Sequence, residues 1–494
     1  ATPEIYTLSL HDALPISLHA ARRYTACMNP ITRRELLAGA AASVLPLRGA
    51  SKKPNIIWMM ADDMGYGDLG CYGQKSIKTP NIDRLATQGT RFTDAYAGCT
   101  VCAPSRSCLM TGVHSGHTPI RANVGGAPLL PEERTVANLL KDAGYNTGLF
   151  GKWGLGDINT TGVPWKHGFD EFVGFLHQAH AHFQYPRFLY DNDKELHLKG
   201  NDTPGRQTYA NDVMNQRALD FVRRNKSNPF YLYLSWTVPH FEPHVPEDSL
   251  SRYRGRVPNG EPYENKQGRL KRQDELGPAY AGMVSRIDNY TGALLSLLRE
   301  LKLEEDTLIF FTSDNGGIMG RFHNDYFNNT AGLRGQKTTM YEGGIRVPMI
   351  TRWPGKIAAG KTNSYVWYFP DFLPTAAEVA GAKAPSGIDG FSVLPTLLGK
   401  QQKPHESLYW ELPRYDAKTK SFLKEKPMSA MRRGTMKVVR PKPDAAVELY
   451  DLAADRTEKN DLAAKMPDVA KRMEQQLIAA RTEPRHQDEP LHPW

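Results

Sequence analysis

Cysteine is scarce in this chain, five residues in 494, so no dense disulfide framework of the kind that staples small secreted domains holds the fold. Apolar runs are short. None reaches the roughly twenty residues that a helix needs to cross a bilayer, and no membrane span is expected. Long basic tracts are missing too: Lys and Arg total 62 against 53 Asp and Glu, a formal charge of +9 with a pI near 9.1. An excess that small, spread over the whole length, suits acidic partners and carries no nucleic-acid signature. What is present is an ordinary globular balance, 40% apolar and 23% charged, with length for one large domain or two.

The stretch MNPITRRELLAGAAASVLPLRGA, Met28 to Ala50, joins two adjacent arginines to a short alanine-rich apolar run and small residues before Ser51. It reads as a twin-arginine export signal, which predicts a periplasmic or secreted bacterial protein, soluble once mature. Residues 1–27 lie upstream of that methionine and read as non-native translated sequence outside the fold. Disulfides are allowed in such a compartment, and Cys71 with Cys99 is one candidate pair.

Three of the cysteines crowd into GCTVCAPSRSCLMTG, Gly98 to Gly112. Zinc binding fits poorly, because Cys99, Cys102 and Cys108 leave a tetrahedral site one ligand short and no histidine follows at finger-like spacing. A thioredoxin-type pair fits no better, since Ala-Pro-Ser-Arg follows the second cysteine instead of lying between the two. Pro104 suits a first helical turn, Ser105 to Met110 can continue it, and Gly112 stops it. Cys102 then sits at a helix N-terminus, where free N–H groups, the helix dipole and Arg106 one turn on favour an anion. The stretch is read as an activated residue facing an oxyanion, with packing roles for Cys99 and Cys108.

Four apolar runs end in polar residues. NIIWMM (55–60) leads to Asp62 and Asp63, TGLFGKWG (147–154) holds Lys152, FYLYLSWTVPH (230–240) ends in His240, and TLIFFTSDNG (307–316) carries Asp314 and Asn315. The helical patterns TVANLLKDAGY and RIDNYTGALLSLLREL precede the second and the fourth. Strands alternating with helices predict an α/β fold with a parallel sheet covered on both faces, which binds ligands at the carboxyl ends of its strands. The residues behind the four runs then converge on one crevice. Asp62, Asp63, Asp314 and Asn315 offer only oxygen, the donor that hard divalent cations prefer, and calcium is favoured over magnesium. Each pair taken alone reads more commonly as the cap of a turn, and it is the two pairs together at strand ends that favour a metal.

Cys-Ala-Pro-Ser-Arg followed by Thr-Gly, from Cys102 to Gly112, resembles the signature of the type I, formylglycine-dependent sulfatases of the alkaline phosphatase superfamily. The resemblance runs from Pro54 to about Ala463 and takes in PNIIWMMADDMGYGDLGCYG, TPNIDRLATQGTRFTDAY, GKWGLG, KHGFDEFVGF, SDNGG, LRGQKTTMYEGGIRVPMITRWPG and ELYDLAADRTEKNDLA. It implies a large mixed, mostly parallel sheet sandwiched by helices over 52–400. A smaller C-terminal α+β subdomain with a short antiparallel sheet follows over 401–494, divided from it near LLGKQQKPHESLYW. It implies chemistry as well. Cys102 is converted to formylglycine by a maturation enzyme, and the hydrate, held by one calcium ion on Asp62, Asp63, Asp314, Asn315 and residue 102, attacks sulfur and displaces the alcohol. Arg106, Lys152 and Lys337 hold the hydrate and the sulfate oxygens. His240 protonates the leaving oxygen, with Lys337 sharing the task and His244 as the weaker candidate.

One position departs from the resemblance. The family commonly carries histidine where this chain has Gly154, and that histidine deprotonates the second hydroxyl so that sulfate can leave. Downstream, HQAHAHFQYP (177–186) offers His177, His180 and His182. If extended, the segment points His180 and His182 to one face, and one of these two is expected to replace the missing base; the plainer reading is that they contact substrate or line a loop. The surrounding VGFLHQAHAHFQYPRFLYDND is rich in histidine and aromatic rings, which suits a sulfated carbohydrate substrate. Two rivals stay open: a phosphate or phosphonate monoester hydrolase on the same scaffold, and a non-catalytic, calcium-dependent binder of sulfated glycans.

Overall fold

The computed structural model describes residues 53–123, 127–202, 206–240, 242–264, 271–318, 324–416 and 418–485. The upstream segment 1–27, the export signal 28–50 and the end of the C-terminal subdomain beyond 485 lie outside the described residues. Ten strands make the main sheet: β1 (Asn55–Asp62), β2 (Thr90–Phe92), β3 (Asn146–Lys152), β4 (Glu171–Phe175), β5 (Phe188–Asp191), β6 (Lys194–His197), β7 (Phe230–Pro239), β8 (Thr307–Ser313), β9 (Met349–Arg352) and β10 (Lys361–Asn363). Their order is β10-β2-β9-β8-β1-β7-β3-β4-β5-β6. The central run from β8 to β4 is parallel throughout, whereas β9 reverses against β8 and β2, and β5 reverses against β4 and β6.

Alternate residues of β1 serve two cores. Ile57 and Met59 pack with Leu232, Leu234 and Ile309 beneath α1 (Pro80–Thr87), α4 (Ala210–Arg224) and α5 (Leu276–Glu300). Ile56, Trp58 and Met60 pack with Tyr231, Tyr233 and Phe310 beneath α2 (Cys102–Thr111), α3 (Val136–Asp142) and α6 (Phe372–Ala380). Burial on both faces explains why these strands read as unbroken apolar runs rather than as alternating ones. The four central strands β8, β1, β7 and β3 therefore lie side by side with their carboxyl ends at one edge.

A second, antiparallel sheet follows: β11 (Leu408–Leu412), β12 (Met428–Arg433), β13 (Met436–Arg440) and β14 (Glu448–Asp451). Helix α7 (Pro467–Ala479) packs on one face through Met473 and Leu477. The other face meets Tyr96, Met340 and Ile345 of the larger part. Fully buried Lys437 donates to Glu342 Oε1 at 2.8 Å, and Arg346 donates to Glu342 Oε2 at 2.6 Å. Buried ions persist when paired in this way, and the pairing anchors the chain just after Lys337.

Cys71 and Cys99 do not form a disulfide: both are free thiols, as are Cys102 and Cys108. They are engaged elsewhere. Cys99 Sγ donates to Glu411 O on β11 at 3.2 Å, while the Cys71 backbone N–H is held by Asp83 Oδ1 on α1 at 2.7 Å. Among the described residues no helix is long and apolar enough to cross a membrane.

Candidate active site

Strand ends deliver the polar groups. β1 ends in Asp62, β3 in Lys152, β7 leads into His240, and β8 leads into Asp314 and Asn315. Cys102 arrives as the first residue of α2, which runs until Gly112 takes φ 75°. Val101 before it is extended and supplies no side-chain cap, so the Ala103 N–H is met instead by Asn123 Oδ1 at 2.8 Å. Asp63 adopts φ 63°, a left-handed conformation that non-glycine residues enter only under constraint, and its N–H is held by Asp314 Oδ1 at 3.1 Å.

Three buried carboxylates face three buried cations. Lys152 Nζ donates to Asp62 Oδ2 at 2.6 Å, and Lys337 Nζ reaches both Asp63 oxygens at 2.6 and 2.7 Å. Arg106 grips Asp314 Oδ2 through Nε at 3.1 Å and Nη2 at 2.7 Å, and its Nη1 donates to Lys152 O at 3.0 Å and to Ser235 Oγ. Cys102 lies between them, with Sγ 3.4 Å from Asp62 Oδ1 and 3.2 Å from Lys337 Nζ. Burial, reinforced by the Asp62 charge, pushes the Cys102 thiol up to about 12. The residue is therefore a neutral thiol and not a thiolate nucleophile. Burial and then the Lys337 charge hold His240 well below the usual histidine range. His240 Nε2 is 3.3 Å from Asp63 Oδ2.

The donor set fits a hard divalent cation. Asp62, Asp63, Cys102 and His240 each place a ligand atom within 4.8 Å of the others. Asn315 Nδ2 donates to Asp63 Oδ1 at 2.7 Å, which turns Oδ1 away, and that buried oxygen accepts no hydrogen bond among the described residues. An orphaned buried acceptor is costly, and an oxygen-seeking cation satisfies it. The three carboxylates are matched by Arg106, Lys152 and Lys337, so a divalent ion bound there would leave the site net positive and suited to an oxyanion.

The histidine segment differs from the extended conformation considered above. His180–His182 forms a 3-10 turn, in which alternate residues do not share a face. His180 turns into an aromatic nest, 5.0 Å from the Phe175 ring and 4.7 Å from Phe188, and is not brought to the cluster. His182 is brought there: its ring stacks on His240 at 4.9 Å with 28° between planes. Burial and the nearby Lys152 charge pull it down to about 3. His177 turns its Nδ1 to the Ala179 N–H at 3.0 Å, and His244 faces Pro243 O and Gln273 at 3.1 and 3.2 Å, away from Cys102.

Gly154 has φ 78°, and a Cβ there would lie 2.1 Å from Gln178 Nε2. The Gln178 amide fills that space and donates to Gly154 O at 3.2 Å. Gly154→His is accordingly expected to destabilise the fold by about 1–3 kcal/mol, through left-handed strain and displacement of Gln178, without raising turnover. Thermal melts and initial rates check this; a faster enzyme of unchanged melting temperature contradicts it. Asn123, Gln178, Gln184 and Ser235 all contribute to the site and escape sequence reasoning, since polar residues in loops or strands carry no pattern of their own.

The family described as Sulfatase matches residues 54–382, and the one described as N-sulphoglucosamine sulphohydrolase, C-terminal, matches residues 335–483. The chain is 34% identical over 409 residues to N-acetylgalactosamine-6-sulfatase of Canis lupus familiaris, spanning 76% of this chain and 72% of that protein. It is also 34% identical over 412 residues to arylsulfatase A of Homo sapiens, spanning 76% of this chain and 73% of the other. Among solved structures it is similar to Ps i-CgsB in complex with k-i-k-neocarrahexaose, with TM-score 0.74 and 29% identity over 89% of this chain and 95% of that one.

Proposed function

Because this chain belongs to the sulfatase family and is a sulfuric ester hydrolase, we propose that Cys102 is its nucleophile position, converted to formylglycine by a maturation enzyme, and that Asp62, Asp63, Asp314, Asn315 and residue 102 hold one calcium ion. The observation that carries this reading is Cys102 itself, a buried neutral thiol between Asp62 and Lys337 where a nucleophile belongs. When bound, the ion and the hydrated aldehyde supply an activated oxygen nucleophile.

The rest is done by the chain's own side chains. Arg106, Lys152 and Lys337 are fixed cations that bind the sulfate oxygens and hold them as charge moves toward the leaving group. Being pinned by carboxylates, they need no reorganisation when substrate arrives. His240 and Lys337 flank Asp63 and hold the proton that goes to the leaving oxygen. His182, stacked on His240, takes the role of the histidine absent at Gly154. His182→Ala is expected to slow turnover by roughly 10²–10³-fold. His180→Ala lowers the melting temperature but keeps turnover within about threefold, because its ring sits among Phe175 and Phe188 and not at the cluster. Initial rates and melts on the two variants decide between them.

A sulfated carbohydrate is the substrate class best supported, since one relative is named for an N-acetylgalactosamine 6-sulfate and the similar Ps i-CgsB is bound to a neocarrahexaose. The 28–50 segment supports twin-arginine export to the periplasm, and 401–494 is read as a subdomain bracing the catalytic part. The test is mass spectrometry of the tryptic peptide 92–106, from protein made with and without a formylglycine-generating enzyme. An aldehyde or its hydrate at position 102, with Cys99 in the same peptide still a thiol, supports the proposal. A thiol that persists at 102 in the presence of active maturation machinery overturns it.

A further inference from the structure

His182 and His240 come from segments with no covalent reason to meet: a 3-10 turn between β4 and β5, and the loop after β7. Two hydrogen bonds cross between these segments, both donated by Gln184. Gln184, two residues past His182 and fully buried, donates from Nε2 to His240 O at 3.3 Å. Its backbone N–H donates to Glu242 Oε2 at 2.8 Å, two residues past His240. Neither side chain is free to turn. Gln184 Oε1 accepts from Asn211 Nδ2 at 2.8 Å and from Thr237 Oγ1 at 3.3 Å, on α4 and β7, which also fixes which end of the amide faces His240. The other oxygen of Glu242 is held by Arg206 Nη2 at 3.0 Å. Glu242 also has φ 28°, outside the regions that residues with a Cβ favour. Strain of this kind persists only where the surroundings impose it, and it clusters at functional sites.

We infer that Gln184 and Glu242 form a latch that keeps the His182 ring stacked on His240 and aims His240 at the leaving oxygen. Both are positioning residues, acting on His182 and His240 through the segments that carry them. The inference rests on the reading of His240 as a proton donor to the leaving group. Proton transfer tolerates little displacement, and a misplacement of about 1 Å costs on the order of 10²-fold.

The experiment uses the full, matured enzyme with two probes, phenyl sulfate and 4-nitrophenyl sulfate. The first releases a basic phenolate that needs a proton, and the second releases an acidic one that does not. His240→Ala sets the reference and is expected to lose more kcat on phenyl sulfate than on 4-nitrophenyl sulfate, by about 30-fold or more. Gln184→Met and Glu242→Ala are expected to show the same bias, losing about 10–100-fold on phenyl sulfate and under about threefold on 4-nitrophenyl sulfate, with KM unchanged for both. Glu242→Gln, which keeps an acceptor for the Gln184 N–H, recovers most of the loss. Equal losses on the two probes with His240→Ala still biased refute the latch alone, because a structural defect is blind to the leaving group. An unbiased His240→Ala refutes the donor reading, and the latch with it. Where Glu242→Ala fails to fold, Gln184→Met and Glu242→Gln decide by the same comparison.

Discussion

Cys102→Ala is expected to lower turnover of 4-nitrophenyl sulfate by about 10⁴-fold or more, the scale at which removal of a covalent nucleophile is felt in other hydrolases. The fold should survive it. Cys102 is 1% exposed, and its sulfur meets Asp62 and Lys337 at 3.4 and 3.2 Å, two groups that stay paired with other partners without it. Alanine keeps the helix start, and deleting one buried sulfur costs about 1 kcal/mol, a shift of a few degrees in melting temperature. The carboxylates and cations remain paired, so the variant retains a site for the sulfate group. Initial rates beside a thermal melt make the check: a folded variant that keeps more than about a hundredth of the parent turnover removes residue 102 from the chemistry.

Lys337→Ala is the second large effect. Its ammonium meets both oxygens of Asp63 and the Cys102 sulfur, and buried Asp63 keeps Asn315 and His240 as polar neighbours on its carboxylate among the described residues. Breaking a buried pair from one side costs roughly 3–5 kcal/mol. The loss of a fixed positive charge beside the reacting sulfate lowers kcat by about 10²–10³-fold. Calcium separates the two consequences. An ion bound as proposed would restore positive charge at Asp63, so added calcium should raise the melting temperature more in the variant than in the parent, while turnover stays low. Melts in calcium and in chelator, with rates on the same samples, read both. If calcium stabilises neither protein, the oxygen set around Asp63 is not a calcium site.

Much of this site could be read one residue at a time. The apolar runs announced β1, β3, β7 and β8 because both faces of the sheet are buried, and the polar residues at their ends fell where parallel strands put ligands. Helix α2 was legible from Pro104 and Gly112. The antiparallel turn of β9 beside β8 was not, since nothing in Met349–Arg352 says which neighbour it meets. His180 and His182 illustrate the limit more sharply. Alternate spacing gives them one face only in an extended chain, and the 3-10 turn sends one into the core and the other to His240. The Cys71–Cys99 pairing failed for a similar reason, because spacing says nothing of which partners a thiol finds in space.

Sequence alone determined which residues stand at the strand ends and at the start of α2, because hydrophobic runs and helix punctuation act over a few neighbours and need no distant partner. Only the tertiary structure decided that Gln178 closes the space beside Gly154 and that His182 joins His240. The second contact is set by bonds between Gln184 and residues 56 and 58 positions away, and such a pairing leaves no trace in local composition or period.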